Sequence, residues 1–280
     1  MRNIVVGIDL SARSDRAIDR AANLARQFSA ALHIVHVIDD ELPKSVVDLQ
    51  RDSVKALLTR QTAKQDAFTN IDTNIHLLLG DPSTAILTFA EQQSADLIVL
   101  GTQRALGLLE RFRGTTVARI AAASQIPTLV VAAPVCGAYE RPVVGVDFSV
   151  CSGNAARLAA KLAADQKLTL VNAYHIPFKM LTANTTASGE VSMKDAQRAE
   201  AELKEPMAAF ENDLAIAEPV EWVLVEGHPT AVLQQTTRRM GADLVSVGPH
   251  ARSWLSKALI GSTAEDLLTE PPCDVLVTPL

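Results

Sequence analysis

The sequence predicts an α/β protein whose single chain holds two similar parallel-sheet halves. Three observations carry this reading: the chain repeats itself, strand and helix patterns alternate along each half, and the core-forming residues are mostly aliphatic. Apolar residues make up 48% of the 280 positions and aromatics only 4%. Such a balance suits helices packed on a mostly parallel sheet built from Ala, Val, Leu and Ile.

The repeat fixes the organisation before any motif is considered. Asn3 to Ser11 (NIVVGIDLS) recurs as Arg141 to Ser149 (RPVVGVDFS), placing Asp9 opposite Asp147. Ala95 to Gly101 (ADLIVLG) recurs as Ala242 to Gly248 (ADLVSVG), and Gly114 to Ile120 recurs as Gly261 to Leu267. The first pair is offset by 138 residues and the later two by 147, so the second half carries nine extra residues after its first strand. The expected domains are 1–137 and 138–280, joined by a linker near Pro134 to Glu140.

In the first half, Ile4 to Ile8 reads as a strand. Ser11 and Ser14 then precede Ala17, Ile18, Ala21, Leu24, Ala25 and Phe28 at helical spacing. Leu32 to Ile38 reads as the next strand and the polar stretch from Val46 to Phe68 as a helix. A third strand ends before Asp81-Pro82, an N-cap followed by proline at the first helical position. The helix Ser83 to Gln92, the strand Ala95 to Gly101, a loop, a helix opened by Gly114-Thr115 and the strand Thr128 to Ala133 complete the half. The second half repeats the order with strands at Val143 to Asp147, Leu168 to Ala173, Trp222 to Val225, Asp243 to Val247 and Asp274 to Thr278. Its small polar stretch Thr182 to Ser192 reads as a loop, and the charged run Arg198 to Glu205 as a solvated helix face.

Charge and cysteine content exclude several classes of function. A formal charge of −6 without a basic run gives no general attraction to nucleic-acid phosphates. Cys136, Cys151 and Cys273 are odd in number and lack CxxC spacing, which indicates neither a disulfide framework nor a thiolate zinc site and fits a reducing compartment. The opening MRNIVVGIDL is too short in apolar length for a signal peptide, and no run approaches the roughly 18 residues that span a bilayer. A cytoplasmic protein with no membrane partner is expected. His33 and His36 stand three apart, on opposite faces of a strand, and make poor joint metal ligands. GxSxG and GxxxxGK[ST] are absent, and no GxGxxG follows either first strand, so hydrolase, P-loop and dinucleotide folds have no support.

With these residues in place, the chain resembles the universal stress protein family, specifically its tandem two-domain members, over nearly all of both halves. The resemblance implies a five-stranded, doubly wound parallel sheet in each half, with helices on both faces, of the adenine nucleotide alpha hydrolase-like type. ATP-binding members of that family carry an Asp ending the first strand, a His-Val pair ending the second, and Gly-x2-Gly-x9-Gly-Ser/Thr after the fourth. Backbone amides of such a loop, with a helix N-terminus behind them, form a ready phosphate site.

In the first half Asp9, His36-Val37, Gly101, Gly114 and Thr115 match, with Thr116 following, while Arg104 replaces the second glycine. In the second, Asp147, Gly248, Gly261 and Ser262 match, with Thr263 following. There Ala251 replaces the second glycine and Ala173-Tyr174 stands for His-Val. A Cβ at that glycine position costs about 1 kcal/mol in a left-handed backbone and can obstruct a ligand. Arg104 could equally place its guanidinium on phosphates. Alanine obstructs less than arginine, so the second half is preferred.

The resemblance thus implies ATP or a related adenine nucleotide, with magnesium, as a regulatory ligand in one or both halves of a stress-response protein. The alternative is a nucleotide-free adaptor that meets a protein partner through degenerate pockets. No motif places a general base, so an enzyme is not expected. In the family, final strands pair across a dimer axis; here Thr128 to Ala132 is expected to pair with Asp274 to Thr278 inside one chain. Association of two such chains into a homodimer is left open.

Overall fold

The computed structural model describes residues 1–64, 68–102, 115–175, 188–249 and 261–279, with Lys64 and residues 188–197 described by backbone alone. In the first half, β1 (Asn3–Ile8) leads into α1 (Ala12–Phe28), β2 (Ala31–Ile38), α2 (Lys44–Lys64) and β3 (Thr73–Leu79). The half continues through α3 (Pro82–Gln92), β4 (Leu97–Gly101), α4 (Thr116–Ala123) and β5 (Thr128–Val131). The second half runs β6 (Pro142–Gly145), α5 (Val150–Leu162), β7 (Leu168–Tyr174), α6 (Ser188–Leu214) and β8 (Val220–Glu226). It closes with α7 (Pro229–Met240), β9 (Leu244–Val247), α8 (Ser262–Thr269) and β10 (Asp274–Val277). Ser188 to Ser192, read from sequence as loop, opens α6 instead, because small polar residues do not prevent a helix that its later apolar positions anchor.

All ten strands form one sheet in the order β3-β2-β1-β4-β5-β10-β9-β6-β7-β8. Pairing is parallel within each half and antiparallel only where β5 meets β10, with Val130 opposite Val275 and Leu129 opposite Leu276. The expected intrachain pairing of final strands is therefore present, and it removes two sheet edges from solvent. On one face, α1 and α5 cover a core continuous across both halves, including Ile4, Val6, Ile34, Val144, Leu170 and Leu276. On the other face each half has its own cluster, around Ile98 and Ile120 in one and around Val245 and Leu267 in the other.

The segment joining the halves is not a free tether. Asp274, at the start of β10, accepts the backbone N–H of Ala132 at 2.9 Å and of Ala133 at 3.2 Å through Oδ1. Its Oδ2 accepts the Tyr139 hydroxyl at 2.7 Å and lies 3.3 Å from Arg20 Nε, an ion-pair contact not aligned as a hydrogen bond. Arg20 also donates to the Gly137 carbonyl at 2.7 Å, and its guanidinium sits 3.9 Å from the centre of the Tyr139 ring. Arg20 is 4% exposed, Tyr139 1% and Asp274 1%. Burial, with the Asp274 charge beside it, pushes the Tyr139 phenol well above its ordinary pKa, so it remains a donor.

Asp81 caps α3 as its sequence position predicts. Its Oδ1 accepts the Thr84 N–H at 3.0 Å and the Ser83 hydroxyl at 2.6 Å, while Arg119 of α4 forks onto both oxygens at 3.0 and 3.2 Å. The Ser83 hydroxyl, the Thr84 amide and the Arg119 guanidinium hold this carboxyl far below its ordinary value of 3.8.

Three stability outcomes follow from these contacts. Asp274→Ala leaves Arg20 as a buried, uncompensated charge and orphans two amides, so denaturant unfolding is expected to show a loss of about 3–5 kcal/mol. Tyr139→Phe, which removes one hydrogen bond, is expected to lose about 1 kcal/mol. Asp81→Ala is expected to cost about 1 kcal/mol at pH 7. Because the folded-state pKa of Asp81 is depressed, its contribution is present above pH 3.8 and declines as the pH falls below that value. The wild-type and Asp81→Ala unfolding curves should therefore converge on acidification.

Candidate functional site

The order of strands reverses between β1 and β4 in one half and between β6 and β9 in the other. Open α/β sheets bind ligands in the crevice outside the carboxyl ends of the strands at such a point. Both candidate aspartates stand there, Asp9 directly after β1 and Asp147 two residues beyond β6. Asp9 Oδ1 accepts the Ser11 N–H at 3.0 Å and Asp147 Oδ1 accepts the Ser149 N–H at 3.1 Å. The intervening residues, Leu10 and Phe148, take left-handed backbone at φ 60° and 61°. Ser11 and Ser149 then cap α1 and α5 through their hydroxyls. Burial tends to raise the Asp9 carboxyl, but hydrogen bonds from Ser11 outweigh it and the group lies below its ordinary pKa.

The second strands show which residues correspond. Gly7 pairs with Val35 and Ile8 with His36, whereas Gly145 pairs with Val171. The counterpart of His36-Val37 is therefore Asn172-Ala173 and not Ala173-Tyr174, a correction of one residue to the sequence reading. The chemistry agrees with the shift. His36 Nδ1 donates to the Ile8 carbonyl at 3.0 Å, and Asn172 Nδ2 donates to the Val146 carbonyl at 2.8 Å. Each bond braces the carbonyl that precedes the aspartate. Val37 itself packs on the cluster of the α3 and α4 face.

Gly101 and Gly248 have a packing reason to be glycine. A Cβ on Gly101 would lie 2.7 Å from the Arg13 carbonyl oxygen, and one on Gly248 would lie 2.7 Å from the Cys151 carbonyl carbon. In both halves the backbone of the first helical turn rests directly on the end of the fourth strand. The thiol of Cys151 is pushed up by burial and by the Asp147 charge, so it stays protonated.

The phosphate-type element separates the two halves. In the first, α4 is capped by the hydroxyl of Thr115, which accepts the Ala118 N–H at 3.1 Å, and Thr116 is its first residue. In the second, the helix begins one residue sooner in the repeat. Gly261 stands at the N-cap of α8 with φ 85° and has no side chain to cap the first turn, and Ser262 and Thr263 open the helix. A helix start without a side-chain cap leaves backbone donors and the positive end of the macrodipole for an anion. Arg104, Gly114 and Ala251 lie outside the described residues.

A cavity of about 330 Å³ occupies this position in the second half, bounded by Asp147, Asn172, Ala173, Gly248, Gly261 and Thr263. Its floor is apolar, with Val171, Leu233 and Val247. Asn172, Ser149 and His175 line it as well and were not singled out from sequence. Asn172 could have been found by aligning the second strands through the glycine before each aspartate. Among the described residues no group of three or more His, Cys, Asp or Glu side chains is placed to hold a metal ion. No helix among them is long and apolar enough to cross a membrane.

Fold and crevice together define a duplicated α/β protein with one switch point in each half and a cavity at that of the second. The chain belongs to the universal stress protein family, which it matches over residues 1–132 and again over residues 138–279. A universal stress protein of Methanocaldococcus jannaschii is 29% identical over 142 residues, covering 48% of this chain and 83% of that one. The universal stress protein YxiE of Bacillus subtilis is 29% identical over 143 residues, covering 46% and 97%. Among solved structures, a universal stress protein from Archaeoglobus fulgidus superposes with a TM-score of 0.70 at 17% identity, covering 99% of this chain and 96% of its own. That last likeness extends the tandem fold to the whole chain.

Gly248→Ala is expected to displace the α5 start and lower the thermal midpoint by several degrees, since a Cβ there meets backbone and not a flexible side-chain end. Ser149→Ala is expected to cost about 1 kcal/mol through the lost cap. Thermal and denaturant unfolding measure both.

Proposed function

We propose that this protein is a non-catalytic stress-response protein of the cytoplasm that holds an adenine nucleotide, ATP in the first instance, at the mouth of its second half. The observation that carries the reading is the start of α8: a glycine N-cap with left-handed φ, which itself supplies no side-chain cap, on the wall of the cavity that Asp147 and Asn172 also line. The residues fit the ligand. Apolar Val171, Leu233 and Val247 suit a purine face, Asp147 suits ribose or adenine donors, and the α8 N-terminus suits phosphate. The volume lies at the lower end of the range for ligand pockets, so the phosphates would extend along α8 toward solvent.

Magnesium, if it accompanies the nucleotide, would be carried chiefly by the phosphates, as that ion is commonly bound with few protein ligands. The first half is the weaker candidate, because Thr115 already satisfies an amide of the helix that phosphate would need. The buried Cys151 and Cys273, both free thiols, accord with a reducing compartment. A regulatory role requires that nucleotide favour one arrangement of the protein over another, which then presents a different surface to a protein partner.

Isothermal titration calorimetry with ATP tests the reading. One site per chain is expected, lost in Gly261→Val and weakened roughly tenfold or more in Asp147→Ala, with Asp9→Ala unchanged. Absence of heat with ATP, ADP or AMP, together with no nucleotide in denatured purified protein by mass spectrometry, would return the adaptor reading, in which the pockets persist only as structure.

A further inference from the structure

The two halves differ on the face opposite the nucleotide mouth. In the second half, Phe148, Phe210 of α6 and Trp222 of β8 form a closed aromatic trio, with ring centres 5.8 to 6.0 Å apart. Arg157 fastens α6 over this trio by donating to the carbonyls of Asp213 at 2.7 Å and Leu214 at 3.2 Å. In the first half the corresponding positions are aliphatic or acidic. Leu10 stands for Phe148 with the same left-handed backbone, and Ile75 stands for Trp222 by its pairing along the second strand. By the repeat, Asp15 stands for Gly153 and Asp19 for Arg157.

These exchanges remove ring volume and remove the fastener, and a cavity of about 340 Å³ opens between α1 and α2. Ile8, Ile18, Leu57 and Leu58 form its apolar wall, and Asp15, Arg60 and Gln61 its rim. Leu10 and Leu57, 39% and 50% exposed, flank the opening. Among the described residues, Asp15 is met by Gln61 Nε2 at 3.4 Å, and Asp19, one turn further along α1, has no cationic partner. Burial and the neighbouring Asp15 charge raise the Asp19 carboxyl, which marks the pair as short of positive charge. Arg60 is exposed and offsets one of the two carboxylates.

We propose that this cavity is a second ligand site, for a small planar aromatic molecule carrying a protonated amine. The other half shows that aromatic rings fill the equivalent space, and the repeat puts Asp15 at the rim in place of Gly153, with Asp19, one turn beyond the lining residues, in place of Arg157. The ring would lie on Ile8, Ile18 and Leu58 with the amine toward Asp15. The site stands on the α1–α2 face of the first half, so it is independent of nucleotide in the second.

Methyl-labelled full-length protein titrated with tryptamine, followed by NMR at Ile18 and Leu57, tests the proposal. Saturable shifts at these methyls are expected at millimolar or tighter affinity, on the order attainable by a fragment of this size. Indole-3-propionate, with the same ring and the opposite charge, should bind roughly tenfold more weakly or not at all. Leu10→Phe, which restores the second half's ring, should block tryptamine, and Asp15→Asn should weaken it roughly tenfold while leaving the thermal midpoint near that of the wild type. The Asp15 variant decides the matter if Leu10→Phe fails to fold. Shifts confined to residues around Trp222, equal binding of both indoles, no saturation up to about 10 mM, or methyl shifts on concentrating the protein alone, as a second copy covering the cavity would give, would each overturn it.

Discussion

Asp274 is the carboxylate on which the two-half arrangement turns. Fully withdrawn from water, it accepts amides from the end of β5, a hydroxyl from the joining segment and the charge of Arg20 on α1. An unpaired buried charge is prohibitive, so each partner must arrive for the others to be tolerable. That mutual requirement fixes the path of residues 132–141 over the seam, where the backbone ladder between β5 and β10 sets the strand spacing. The antiparallel pairing then merges two five-stranded sheets, and the core beneath α1 and α5 runs through the join without interruption.

Against that common frame the halves have diverged at their mouths. The same turn, an aspartate followed by a left-handed residue and a serine cap, is kept in both. What differs is how the helix after the fourth strand begins. The α4 start is capped by a threonine hydroxyl, whereas the α8 start has a glycine at its N-cap, which has no side chain to do the same. One residue's shift in helix start thereby changes whether the helix opens behind a hydroxyl cap or behind a glycine. The opposite face has diverged as well, with three rings in one half and a gap in the other.

Most of the fold was legible in the sequence because it rests on local, repeating signals. Apolar runs bounded by Ser-x-x-Ser or Asp-Pro gave the strands and capped helices, and the self-match of Asp9 with Asp147 gave the duplication. The pairing of β5 with β10 was legible only through the family likeness, since no local pattern specifies it. The buried role of Tyr139 was hidden in a segment whose Pro, Gly and Ala residues read as linker; burial there comes from Arg20 and Asp274, more than a hundred residues away on either side. At the site, Asn172 escaped notice because asparagine and histidine share no obvious likeness until their common bond to a strand-end carbonyl is seen. The asymmetry of the helix starts was illegible because Gly-Thr-Thr and Gly-Ser-Thr look alike as text.

The antiparallel seam also bears on how such a chain can change over time. In a symmetric dimer of single-domain subunits every substitution appears twice, so a pocket cannot be lost from one side alone. Here the mating surface is internal and each half always faces a fixed, nonidentical neighbour at any dilution. Selection can consequently act on one mouth while sparing its twin, and a covalent pair becomes free to divide labour that two identical subunits would have to share.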